Sequence, residues 1–136
     1  MSAPIRIAAA VIHDQQGRLL LVRKRGTSAF MQPGGKIDAN ESALAALARE
    51  VIEELGCRIR PQTARFLGQF VAPAANEAGK TVLAELFAVA IDGDAIPTAE
   101  IEEVVWIDAA AASAYRLAPL TREWILPLLL SGVGWA

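Results

Sequence analysis

Apolar positions along the chain follow two rhythms, and the switch between them marks the elements. Ile5 to His13 is β-rich and runs into the turn cluster Asp14-Gln15-Gln16-Gly17; Arg18 to Arg25 follows, with Leu19, Leu20, Leu21 and Val22 at its centre. This pattern predicts an antiparallel hairpin. Gly26 to Gly35 is glycine-rich around Phe30 and Met31 and predicts a loop that ends in the turn Pro33-Gly34-Gly35. From Glu41 to Leu55 the period becomes helical: Leu44, Leu47, Ala48, Val51 and Leu55 fall on one stripe, with Asn40 as the cap ahead and Gly56 as the stop behind. Strand character returns at Arg65 to Val71 and Thr81 to Ile91, around a Pro73 to Gly79 loop and up to the turn Asp92-Gly93-Asp94, and again at Val104 to Ile107. Asp108 to Ala114 and Pro119 to Leu130 predict a short and a longer helix. Strands and helices are interspersed without a βαβ repeat, which predicts one α/β domain over residues 1–136, its mixed sheet flanked by helices on both faces.

Composition narrows the functional classes. Thirteen basic residues against fifteen acidic ones leave a formal charge of -2, so no strong positive field draws the chain to nucleic acid polymers or to membranes. The apolar run Ile7 to Ile12 is too short for a membrane span or a signal-peptide core, and Pro127 breaks the apolar terminal segment. Cys57 is the single cysteine, which excludes an intramolecular disulfide and a cysteine-rich zinc site and fits a cytoplasmic setting.

The candidate chemistry lies on the central helix. Glu50, Glu53 and Glu54 stand at i, i+3 and i+4, in a sector offset from the apolar stripe and free of lysine and arginine. Like charges so placed repel by a few tenths of a kcal/mol per pair unless a cation neutralises them. Hard oxygen donors of this kind suit Mg²⁺, with Mn²⁺ as a substitute.

Gly35, Glu41 and the run Arg49-Glu50-Val51-Ile52-Glu53-Glu54-Leu55-Gly56-Cys57 resemble, at every fixed position, the signature box of the Nudix hydrolases, MutT-like members included. Cys57 is the one soft match, where an aliphatic residue is usual. The resemblance implies an α/β/α sandwich and metal-dependent hydrolysis of the diphosphate linkage in a nucleoside diphosphate joined to a moiety X, such as a nucleoside triphosphate, ADP-ribose or a related nucleotide. It also implies that Glu53 and Glu54 are the principal metal ligands and that Glu50 is a further ligand or the base that activates water. Gly34 would add a backbone carbonyl to a metal, while Glu41 and Arg49 would form a structural pair orienting helix and loop, with Gly35 and Gly56 as fixed glycines of the motif. Glu100, six residues before Trp106, matches the place of an additional catalytic and metal-binding carboxylate in MutT-like members, with Glu103 as second choice.

Other positions carry two readings each. Arg23, Lys24 and Arg25 end the second strand, where a side chain either meets substrate phosphates or is part of a solvated strand end. Gln32, where many relatives have Leu or Phe, either contacts substrate or bonds to the loop. Glu85 and Glu77 reach the cleft only if their strand and loop turn that way. His13 and Cys57 are expected to stay outside the chemistry. The partner expected is a small nucleotide diphosphate, and a homodimer is left open. Against the enzyme stands a nucleotide-sensing module of the same fold without turnover; such modules commonly lose box glutamates that are all present here.

Overall fold

In a computed structural model, which describes residues 3–131, the chain forms two main sheets between two helical layers. The strands are β1 (Ile5–Val11), β2 (Leu19–Lys24), β3 (Phe30–Met31) and β4 (Gly34–Lys36), followed by helix α1 (Ala43–Leu55) and β5 (Arg58–Ile59). Then come β6 (Arg65–Pro73), β7 (Thr81–Ala88), β8 (Ile91–Asp92), β9 (Ile101–Ile107) and a terminal helix α2 (Leu126–Leu130). One sheet has the order β4-β1-β7-β6, mixed because β1 and β7 are parallel while its other pairs are antiparallel. The other, β3-β2-β9, is antiparallel, and β5 pairs with β8.

The expected β1–β2 hairpin is corrected. The two strands share the turn, closed by Gly17 N–H to the Asp14 carbonyl at 3.0 Å, and a single bridge at His13 and Leu19. Beyond it they part into different sheets. The cause is visible in the run Leu19–Val22, buried on both faces, where a hairpin lying on one core would leave alternate positions wet. Ala8, Ala10, Leu20 and Val22 face α1 and pack with Leu47, Val51 and Leu55. Ala9, Val11, Leu19 and Leu21 face the opposite way and pack with Leu120 and Ile125 of the terminal helical stretch. Helices thus cover both faces, as the sequence pattern predicts.

The segment read as a loop contains β3 and β4. β3 is tied to the segment before the terminal helix by Phe30 N–H to the Arg116 carbonyl and Ala118 N–H to the Phe30 carbonyl, both 2.8 Å. The cap of α1 is Ser42, whose side chain accepts from Ala45 N–H at 3.1 Å, whereas Asn40 sits at φ 68° in the turn before it. Gly56 closes the helix at φ 67° and donates its N–H to Ile52. Further on, Ile96 and Thr98 donate N–H groups to the carbonyls of Leu55 and Glu54, satisfying the helix end and pinning it to the strand that follows.

Residues 119–130 are helical with one wide turn at Thr121–Ile125, in which Leu126 N–H reaches back to the Thr121 carbonyl. Pro127 has no N–H to continue the regular ladder, and the preceding turn widens at that point. Trp124 from this turn donates to the Val71 carbonyl at 2.9 Å and packs on Phe70, covering part of edge strand β6. No helix among the described residues is long and apolar enough to cross a membrane.

Ser42→Ala is expected to cost about 1 kcal/mol, since it removes the cap bond, whereas Asn40→Gly is expected to be nearly neutral because glycine tolerates the left-handed backbone. Urea unfolding of both variants checks this, and the reverse order would place the cap at Asn40.

Candidate active site

Two glycines bring the loop onto the helix. A Cβ on Gly34, at φ 149°, would stand 2.1 Å from the Ala8 carbonyl oxygen, and one on Gly35 would stand 2.4 Å from the Glu50 carboxyl carbon. At Gly34 the obstacle is backbone and only glycine fits; at Gly35 it is the Glu50 side chain, which a Cβ would push aside. Gly34 N–H, brought in this way, donates to Glu54 Oε1 at 3.1 Å.

Arg49 holds the same loop from the other side. Its guanidinium makes paired bonds of 2.9 Å to both carboxylate oxygens of Glu41, a 3.0 Å bond to the Lys36 carbonyl and a 2.5 Å bond to Glu50 Oε2. The Arg49 contact holds the Glu41 carboxyl down at about 2. Glu41 in turn accepts from Asp38 N–H at 3.0 Å. The acidic sector is therefore not free of positive charge, because Arg49 folds back onto Glu50.

The three helix glutamates differ in environment. Glu54 is 3% exposed, Glu50 half-buried and Glu53 exposed. As placed, no three acidic, histidine or cysteine side chains among the described residues stand together closely enough to cage a cation. The convergence expected from the helical wheel is thus incomplete: Glu54 turns in to Gly34, Glu50 to Arg49, and Glu53 outward. Burial pushes the Glu54 carboxyl up to about 8, against the Gly34 N–H bond and with added repulsion from Glu50 and Glu100. Glu50 is also raised by burial, against the pull of Arg49.

A cleft of about 390 Å³ opens beside these acids. Its charged lining includes Lys24, Lys36, Glu50, Glu77 and Glu100, with the backbone of Gly34 and Gly35. Apolar lining comes from Ile5, Ile7, Ala9, Val82 and Leu120, and the segment from Pro73 to Glu77 forms one rim. Glu77 on this rim meets Lys36 at 3.7 Å. Glu85 instead pairs with Arg6 at 2.6 Å and does not line the cleft.

Arg23 and Arg25, the predicted phosphate contacts, are also corrected. Arg23 bonds Glu103 at 3.1 Å and the Thr27 carbonyl at 2.8 Å, and Arg25 lies 3.9 Å from Glu102; neither lines the cleft. Side chains alternate along a strand, so Lys24 between them points to the side they do not. Of the three basic residues that end β2, Lys24 is the one that lines the cleft, and the parity of the strand was the signal that could have singled it out. Glu103 faces Arg23, whereas Glu100 lines the cleft. Gln32 is 5% exposed and lines the cleft as well, its Oε1 accepting from the Thr121 hydroxyl at 2.5 Å. Thr121 lies too far along the chain for any sequence signal. His13 and Cys57 lie away from this cleft, and burial lowers the one and raises the other.

A family model described as NUDIX domain matches residues 3–128. The chain belongs to that family. Phosphatase NudJ of Escherichia coli strain K12 is 35% identical over 75 residues, which cover 54% of this chain and 48% of that protein. The chain thus matches about half the length of its curated relatives. Among solved structures, a NUDIX hydrolase from Nitrosomonas europaea is 27% identical with a TM-score of 0.73, covering 95% of this chain and 90% of that one. A structure named UDP-X diphosphatase has a TM-score of 0.77 at 22% identity, over 97% of this chain and 65% of that one, a likeness of fold. The α/β architecture with its mixed sheet is the Nudix fold.

In this Nudix domain the folded Glu54 binds a proton up to about pH 8, while an unfolded glutamate releases it near its ordinary 4.5. The folded state therefore binds more protons between these values, and the metal-free protein is expected to lose stability, on the order of a few kcal/mol, as pH rises from about 5 to 8. Glu54→Gln should flatten that slope. Thermal melting across this range in chelator checks it, and parallel slopes in both proteins would contradict the burial of the carboxyl.

Proposed function

We propose that this Nudix domain hydrolyses the diphosphate linkage of a small nucleotide with the help of a divalent cation, Mg²⁺ being the ion of choice. The observation that carries the reading is the buried Glu54 carboxyl, which accepts from Gly34 N–H and feels the charges of Glu50, Glu100 and Lys24, residues that with Gly34 line one cleft. Burial and neighbouring acids oppose its ionisation, and a hard divalent ion in place of the proton would relieve both.

The donor set suits such an ion. Glu54 and Glu53, with Glu50 released from Arg49, would hold it, and the Gly34 carbonyl would add a neutral oxygen. Bound there, the cation would supply charge neutralisation for the diphosphate and a lowered pKa for an attacking water. Lys24 places an ammonium in the same cleft for phosphate oxygens. Glu100, across the cleft, orients the water and accepts its proton. Arg49, through Glu41 and the Lys36 carbonyl, keeps the glycine loop in register, a positioning role. The apolar lining of the cleft accepts the nucleoside. The names of the relatives, a phosphatase and a diphosphatase, are in keeping with this activity.

Purified protein with Mg²⁺ is to be assayed against nucleoside triphosphates, ADP-ribose, dinucleoside polyphosphates and nucleotide sugars. Glu53→Gln and Glu54→Gln are expected to abolish turnover while the fold survives in melting. Glu100→Gln should lower kcat by roughly 10² to 10⁴-fold, and Glu103→Gln much less. Full activity in both helix variants would refute the metal assignment, and a larger effect at Glu103 would move the loop role to that residue.

A further inference from the structure

The last turn of α1 is bonded directly to the segment that carries Glu100. The final four carbonyls of an α-helix have no partner inside it. Here the Ile52 carbonyl accepts from Gly56 N–H, and the other three are met by one segment outside the helix. The Thr98 hydroxyl donates to the Glu53 carbonyl, Thr98 N–H to the Glu54 carbonyl at 3.0 Å, and Ile96 N–H to the Leu55 carbonyl at 3.0 Å. Thr98 alone thus clamps the backbone of two glutamates of the acidic sector.

Thr98 also opens a tight turn. Ile101 N–H donates to the Thr98 carbonyl at 3.0 Å, which makes Ala99 and Glu100 the two central residues. Ala99 stands at φ 52°, in the left-handed region, and Glu100 does not. A turn of that form favours glycine at its first central position, and alanine persists there only where the surroundings impose it. From the other side Arg25 N–H donates to the Glu100 carbonyl at 2.7 Å, beside the register shift between Arg23 and Lys24 that pairs Lys24 with Ile101. Glu100 is therefore pinned to α1 through Thr98 and to β2 through Arg25. Its side chain lines the cleft with Glu50 and Lys24, and its charge is felt at Glu54.

We propose that Thr98 and Ala99 are positioning residues for Glu100: the clamp on the Glu53 and Glu54 carbonyls, carried through the left-handed turn, fixes the Glu100 carboxylate relative to the acids of α1. The inference rests on the role given to Glu100 above. A base that lies outside the helix of the metal ligands must still be held at a set distance from the water it orients, and misplacement by about 1 Å costs on the order of 10²-fold in rate. One residue that bonds both ligand-bearing positions and starts the turn of the base meets that demand by the shortest covalent route.

The test measures kcat and KM with Mg²⁺ on the member of the substrate panel above that the wild type cleaves fastest. The proteins are wild type, Thr98→Val, Thr98→Ser, Glu100→Gln and the double variant Thr98→Val with Glu100→Gln, each checked by melting. Thr98→Val removes the hydroxyl at nearly constant shape and is expected to lower kcat by roughly 10- to 100-fold, with KM changed less than about two-fold. Thr98→Ser, which keeps the hydroxyl, should restore the rate. In the Glu100→Gln background, Thr98→Val should alter kcat by less than about two-fold, because a base already removed cannot be misplaced. If Thr98→Val does not fold, Ala99 carries the same cycle. Ala99→Gly accepts the left-handed backbone and should keep kcat, whereas Ala99→Val, β-branched, should reshape the turn and lower kcat only when Glu100 is present. A folded Thr98→Val protein with wild-type kcat, a loss confined to KM, or an equal loss in both backgrounds overturns the inference while a slow Glu100→Gln leaves the role of Glu100 standing. Wild-type kcat in Glu100→Gln refutes that role and the inference with it.

Discussion

The close passage of Gly34 and Gly35 between β1 and α1 is the constraint on which the rest of the site depends. A Cβ at Gly34 would collide with the backbone of Ala8, so the loop can lie where it does only with glycine there, while one at Gly35 would push the Glu50 carboxyl aside. That passage aims the Gly34 N–H at Glu54 and sets Lys36 where its carbonyl meets Arg49. Arg49 then ties Glu41, Glu50 and the loop into one unit. The bidentate fork matters, since a lysine would offer a single point of charge to partners arranged in a plane.

This arrangement trades stability for chemistry. The apolar stripe of α1 buries Leu47, Val51 and Leu55, each contributing on the order of 1.5–3 kcal/mol, and so anchors the helix against both sheets. Part of that gain is offset by holding a carboxyl group in the interior, where the Gly34 N–H bond and the charge of Lys24 compensate its burial only in part. Conversely, Glu41 is stabilised in its charged form by Arg49, and so two carboxylates of one motif are driven in opposite directions by their surroundings.

The site was legible in the sequence where function is carried by fixed spacing. Glu50, Glu53 and Glu54 stood out because a helix converts spacing into a face, whereas Glu41 and Arg49 were named through the resemblance of the motif, which lies within the family match over residues 3–128. What the wheel cannot show is the third dimension: that Glu54 turns inwards, that Arg49 bends back onto Glu50, and that Lys24 rather than its arginine neighbours enters the cleft. The hairpin was misread because a turn between two apolar runs looks the same whether the strands stay paired or part into two layers. Burial on both faces distinguishes the cases, and it needs partners from β7, β9 and the terminal helix that lie far along the chain. Thr121 escaped for the same reason.

The parting of β1 and β2 also governs how the chain can assemble. β1 lies inside its sheet with β4 on one side and β7 on the other, and Ile5 is paired with Val82 in a parallel ladder. During synthesis β4 emerges soon after β1, but β7 follows only after α1 and β6 have been made. One edge of the alanine-rich strand therefore stays open until Thr81–Ala88 has been made. Parallel pairing across so long a loop makes folding slow relative to local hairpins, and it exposes an apolar strand edge in the meantime. The helix that carries the acids can form early from local signals, but the cleft beside it closes only when the last strands and Thr121 arrive.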